Sequence, residues 1–315
     1  MNGVREIPVA FGPAQSLFGV LSTPSSGEAG AVACLMFNVD ATYRVGPRRI
    51  HVKLARQLAE RGLTSLRFDL SGHGDSDVAH GAEQASTQGV HDLQAAMDRV
   101  EAMLGIHRFI VIGLRSGAHH GLGAAVADAR VAGLLMFDGF AFPGRGSRWD
   151  RRVRQALAAV AQPSMAADRL RGWARAGQGR ENVARGSAIG TGAALPPAPF
   201  GPERPEPAIA PFRRAMTQLA QRSVAVMLLY SGSVHVIDHG RDQLGPLAHE
   251  ACMRDVQYRF APDIDQGLTS VAAQQAFVAV VSDWVLRLAN QRAPAAPGRQ
   301  PLHPGTVERV VLRTA

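Results

Sequence analysis

Short, continuously apolar runs alternate with longer stretches of helical spacing through the first half of the chain. Ala31 to Phe37 contains no polar residue and is too short for a helix, so it reads as a strand buried on both faces. The polar loop Asn38 to Gly46 follows. Pro47 then opens a helix in which Ile50, Leu54 and Leu58 share one face, and Gly62 closes it. Leu63 to Leu70 is the next strand, ending in the turn Ser71-Gly72-His73-Gly74-Asp75-Ser76. A helix with Val90, Leu93, Met97, Val100 and Leu104 on one face comes next. Phe109 to Ile112 is a third strand, which enters the tight turn Gly113-Leu114-Arg115-Ser116-Gly117 and an Ala/Gly-rich helix ending near Asp128. Val131 to Phe137 is a fourth. This rhythm predicts a mostly parallel, doubly wound sheet with helices on both faces.

The rhythm stops near Phe142. From 143 to 222 the chain is rich in arginine and helical in patches, with a Pro/Ala/Gly stretch from Gly186 to Pro211. It reads as an inserted helical cap or lid between two parts of one core, 1–142 and 223–290. Ser223 to Tyr230 and Val256 to Phe260 resume the sheet. A last helix runs from Val271 to Leu288, with Phe277, Val281, Trp284 and Val285 available for packing. The stretch 291–315 is a Pro/Arg-rich tail in which Val307 to Leu312 reads as a frayed end or a spare strand.

Composition narrows the class. The chain has 315 residues, 46% hydrophobic and 19% charged, which suits a globular core. Its longest uninterrupted apolar runs fall well short of the roughly 20 residues that a membrane span needs. The N-terminus carries no charged-then-apolar signal pattern, and two cysteines, Cys34 and Cys252, give no disulfide framework. A cytoplasmic protein with no membrane contact is expected. Net charge is +8, and Lys53 is the only lysine. That balance favours acidic partners. Nucleic acid is not among those expected, because no zinc-finger spacing, basic stripe with interleaved aromatics or helix-turn-helix pattern occurs. No metal or cofactor is expected.

A strand that passes through Gly-x-nucleophile-x-Gly into a helix is a nucleophile elbow, and Gly113 and Gly117 hold its two glycine positions. Three stretches carry a wider likeness: Asn38 to Pro47 with Arg44-Val45-Gly46-Pro47, then Arg67 to Ser76, then Gly113 to Ala118. Together they resemble the α/β-hydrolases of the serine-aminopeptidase and exosortase-associated type, over roughly residues 5 to 288. The resemblance implies an α/β-hydrolase fold and a setting among polysaccharide or natural-product gene sets.

At the site positions this chain departs from that family. The apex, which the family fills with Ser or Cys, is Arg115, and a guanidinium cannot attack a carbonyl. Val234 stands at the acid position. The Asp-His pair before the last helix reads Asp265-Gln266, and glutamine cannot shuttle a proton. Asp40 replaces a glycine near the oxyanion hole. The resemblance therefore implies a degenerate triad and a pseudo-hydrolase. Ser116 as a rearranged nucleophile, with His119, His120, His235 or His239 as base, is a further alternative for a hydrolase or thioesterase.

The replacements suggest other chemistry. Arg115 adds a fixed charge and a planar fork of donors beside the amides of a helix N-terminus, a combination that suits carboxylate, phosphate or sulfate. Asp40 is the expected base or orienter and Gln266 a hydrogen-bonding group. Ser116, Gly117, Asn38, Tyr43, His73 and His235 are the expected substrate-binding residues. Arg44 reads as a structural arginine holding its loop to the sheet, Asp75 as a turn or cap residue, and His73 as either turn or pocket. Two functions follow. In one, the protein binds a small anionic substrate, free or on an acidic carrier protein, and promotes elimination or cyclisation with loss of an anion. In the other, an Asp40–Arg115 pair plugs a dead site, and the protein is a scaffold, partner subunit or homodimer. The arginines from Arg148 to Arg175 would dock an acidic carrier or form a solvated basic face.

Overall fold

A computed structural model describes residues 3–25, 30–38, 42–79, 85–142, 209–233, 238 and 240–291. Its strands are β1 (Val4–Phe11), β2 (Leu17–Pro24), β3 (Ala33–Phe37), β4 (Thr64–Phe68), β5 (Phe109–Leu114), β6 (Val131–Phe137), β7 (Ala225–Ser231) and β8 (Gln257–Ala261). Its helices are α1 (Ile50–Glu60), α2 (Ala85–Leu104), α3 (Gly117–Ala127), α4 (Ile209–Gln221) and α5 (Val271–Asn290). Among the described residues the strands form one sheet in the order β1-β2-β4-β3-β5-β6-β7-β8. From β4 to β8 every pairing is parallel.

Burial explains the element types. Every residue of β3, β4 and β5 is buried, which a strand achieves only when helices cover both faces. Ile50, Leu54 and Leu58 of α1 and Phe277, Val281 and Trp284 of α5 build one core layer. Leu93 and Met97 of α2, Leu122 of α3 and Phe212 and Met216 of α4 build the other. The helix α5 has the length and composition to cross a membrane, although no single apolar run in the sequence is that long. Half of it is buried inside the fold, with Trp284 1% exposed, so its apolar character is accounted for by core packing.

The hairpin β1–β2 is an element that the apolar runs do not announce. It pairs antiparallel from Val4↔Pro24 to Phe11↔Leu17, and β2 runs antiparallel to β4. Val9 and Phe11 of β1 and Leu17 and Leu21 of β2 are buried, while Pro8, Ala10, Phe18 and Val20 between and beside them are not. That alternation, split by Gly12-Pro13, was the available signal.

The helix α4 lies at the end of the stretch expected as a cap, yet it buries Phe212, Met216 and Leu219 in the core. Just after it, Arg222 donates to the carbonyls of Ala125, Val126 and Asp128 and so satisfies the C-terminal end of α3. The rest of the expected cap, 143–208, and the tail from 292 lie outside the described residues.

Candidate functional site

The turn from β5 into α3 and the turn after β6 are closed so tightly that only glycine fits at one position in each. A Cβ on Gly113 would stand 2.8 Å from the Gly117 carbonyl oxygen and 2.8 Å from the Ala118 Cα. On Gly139, in the neighbouring turn, it would stand 2.1 Å from the Ala118 Cβ. Arg115 takes the apex with φ +51°, a left-handed conformation that costs a non-glycine residue on the order of 1 kcal/mol. Its N–H donates to the Phe137 carbonyl at 2.7 Å, and its own carbonyl accepts from Ala118 N–H at 3.1 Å. The elbow geometry is therefore intact, and its strain is retained at a residue that cannot be a nucleophile. Ser116 is exposed at the N-cap of α3, and Gly117 is buried at its first turn.

Register brings a second charged residue to the same level. Leu114 of β5 pairs with Phe137 of β6, so Arg115 and Asp138 each follow directly on the ends of adjacent strands, whose spacing is about 5 Å. Asp138 is also left-handed, at φ +49°. Its N–H donates to the Leu229 carbonyl, and its Oδ1 accepts the Ser231 N–H at 2.9 Å. Its Oδ2 is buried and has no hydrogen-bond partner among the described residues. Burial raises the Asp138 pKa above the usual carboxylate value, opposed by the Ser231 bonds and the charge of Arg115. The sequence reading missed this residue, because Phe137-Asp138-Gly139 looks like any turn after a strand.

From Asp138 a chain of hydrogen bonds crosses the C-terminal edge of the sheet. Ser233 N–H donates to the Ser231 hydroxyl at 3.3 Å, and Gln266 N–H donates to the Ser233 hydroxyl at 2.7 Å. Gln266 thus stands in the β8–α5 loop, tied to the end of β7. Its neighbour Asp265 accepts from both the N–H and the hydroxyl of Thr269, which makes it a turn builder.

The other expected residues divide. Asn38 is 4% exposed, and its side-chain oxygen accepts the Leu70 N–H at 2.9 Å, joining the ends of β3 and β4. Tyr43 is 60% exposed. His73 is exposed, with Nδ1 3.0 Å from the Ser71 carbonyl of its own turn. Asp40, Val234, His235 and His239 lie outside the described residues. Arg44 pairs with the wholly buried Asp69 and, at 2.7 Å, with Asp75, and stacks over the Phe18 ring. It holds the loop to the sheet, and Asp75 is a partner in that turn. On α3, His119 stacks on Phe140 with ring centroids 4.3 Å apart, at one end of an apolar groove of about 420 Å³ between α3 and α4. Burial lowers its pKa, as does the neighbouring His120, whose ring packs against Gly89 of α2. Among the described residues, no group of three or more His, Cys, Asp or Glu side chains is placed to hold a metal ion.

No family model matches this chain, and no curated protein matches it in sequence. Solved structures do match its fold. An α/β serine hydrolase without a lid from Xanthomonas campestris shares 15% identity, with 93% of this chain and 97% of that one covered and a TM-score of 0.53. An esterase from Pyrococcus furiosus shares 11% identity over 91% and 92%, with a TM-score of 0.53. Est1E of Butyrivibrio proteoclasticus, solved with ferulic acid bound, shares 13% over 87% and 96%, with a TM-score of 0.52. The fold is the α/β-hydrolase fold, and at such identities the likeness extends to fold alone.

Proposed function

We propose that this α/β-hydrolase-fold protein is a non-hydrolytic member of its fold, with a degenerate triad, that holds a small anionic substrate of specialised metabolism at the β5–α3 turn. The observation that carries the reading is Arg115 at the strained apex. A permanent cation with five donors takes the place from which a nucleophile would attack, beside the first amides of α3. In an elimination, a base takes a proton from carbon and the C–H pair becomes the new π bond. The anion departs with its own bonding pair into the Arg115 fork. In a cyclisation, an internal nucleophile displaces the same anion and passes its proton to the base. Asp40 stays a proposed base on sequence grounds, with Gln266 as a hydrogen-bonding group. The substrate arrives free or on an acidic carrier protein.

A second reading, a scaffold or partner subunit, is favoured by one feature: Arg115 and Asp138 stand level with opposite charges, as in a site that neutralises itself. A hydrolase using Ser116 is the third. Sulfate titration by calorimetry separates them. The first reading expects sulfate to bind and affinity to fall about tenfold or more in Arg115→Ala, with no hydrolysis of p-nitrophenyl esters. Sulfate binding that is absent, or indifferent to Arg115→Ala, returns the scaffold. Ester hydrolysis abolished in Ser116→Ala establishes the third reading and overturns the first.

A further inference from the structure

We propose that Asp138 is the proton-handling group of this site, and that binding of an anion at Arg115 is coupled to protonation of its carboxyl. The inference rests on the anion reading above and deepens it. Its basis is geometric. Parallel register pairs Leu114 of β5 with Phe137 of β6, so Arg115 and Asp138 each follow directly on paired strand ends, and Asp138 is fixed rather than free to swing. Its backbone is tied to Leu229, and one carboxylate oxygen is tied to Ser231 N–H. The other oxygen is buried and unpartnered among the described residues. One oxygen anchored and one unpartnered leaves the carboxyl a fixed place to hold a proton.

The surroundings define the coupling. Among the described residues, the titratable and charged groups around Asp138 are Arg115 from the β5–α3 turn, Tyr230 on β7 and, beyond Tyr230, Asp238. The Tyr230 hydroxyl is buried and donates to the Phe140 carbonyl, and burial raises its pKa far from the physiological range. Among the described residues, Arg115 is thus the nearby cation that favours the ionised form of Asp138. An anion seated on Arg115 cancels that help and adds its own repulsion, so the carboxylate gains a proton. In an elimination the leaving group gains its full charge only as its bond to carbon breaks, so the carboxylate is still ionised when it takes the substrate proton. The C–H pair forms the double bond, and the anion leaves with its bonding pair, so that product, anion and protonated Asp138 balance the reactant and the ionised enzyme.

The test is sulfate binding from pH 5 to 8 by calorimetry in buffers of different ionisation enthalpy, since sulfate keeps its charge over that range. The wild type should take up protons on binding, up to about one per sulfate, with affinity falling as pH rises by at most about tenfold per pH unit. Asp138→Asn should bind with an affinity that is flat in pH and at least equal to that of the wild type at pH 7, with no proton uptake. Ser231→Ala keeps the carboxyl and removes a hydroxyl that stabilises its ionised form, so the coupling should move to higher pH. This second variant serves even where Asp138→Asn fails to fold. Pronounced uptake in Asp138→Asn, or an unmoved midpoint in Ser231→Ala, overturns the inference and leaves the anion site standing. Coupling lost only in Asp40→Asn gives the role to Asp40 and likewise overturns it. Sulfate binding that ignores Arg115→Ala overturns the anion reading instead.

Discussion

Arg115 occupies a backbone conformation from which its side chain gains nothing by itself. A comparison of two truncations isolates that strain. Arg115→Gly should be more stable than Arg115→Ala by about 1 kcal/mol in urea denaturation, because only glycine enters the left-handed region without steric cost. Equal stabilities would show an apex without strain. A second residue-scale consequence concerns His51, fully enclosed under the Arg44–Gly46 loop with Nδ1 3.2 Å from the Arg44 carbonyl. Burial first, and then the charge of Arg67, hold its pKa down from 6.5 to about 4. The folded state therefore keeps His51 neutral where the unfolded chain binds a proton, and stability falls as the pH drops from 6.5 towards 4. The loss from this one group is on the order of 3 kcal/mol. Urea midpoints at pH 7 and pH 4.5 should differ less in His51→Asn than in the wild type. Single residues were unevenly legible in the sequence. Arg115 was visible because Gly113 and Gly117 bracket it. Asp138 was not, because its meaning comes from the Leu114↔Phe137 register, which pairs residues more than twenty positions apart.

Among the elements, the elbow shows how far a local motif constrains a structure. Gly113 meets backbone atoms of Gly117 and Ala118, which cannot swing aside as a side-chain tip can. Gly113→Ala should cost about 3 kcal/mol, at the upper end of ordinary overpacking, and should lower the thermal midpoint. A neutral result would mean that the α3 terminus shifts freely, and the amides near Arg115 could then not be preorganised. The buried strands β3 to β6 were legible because two-sided burial removes polar residues altogether. The hairpin β1–β2 was not, because β1 lies at the edge of the sheet, where a strand is half wet, and its apolar positions are diluted by Arg5 and Glu6. The helix α4 was hidden for a related reason. Its polar face continues the arginine-rich composition that precedes it, and only Phe212, Met216 and Leu219 mark the buried stripe.

At the scale of the whole molecule, the strand order and the layering of helices follow from the alternation of elements, whereas the chemistry does not follow from the fold. Esterase-like neighbours share the sheet and leave the activity of an arginine apex open. The net charge of +8 bears on partners at this scale. An acidic carrier protein should bind more weakly as salt rises, by about tenfold or more between 50 and 300 mM, when measured by fluorescence anisotropy. Affinity that ignores salt would count against docking by charge.

The rings of Phe142 and Phe212 lie 4.9 Å apart, one where the chain leaves the core after β6 and the other where it has returned in α4. The core is thus stitched shut between the two points where the chain leaves it and returns. Lengthening a loop between two fixed ends costs little, about 0.6 kcal/mol per doubling. In evolutionary terms this makes the stretch an exchangeable cassette. Its length and composition can drift while the sheet, the elbow and the Arg115–Asp138 edge are inherited unchanged.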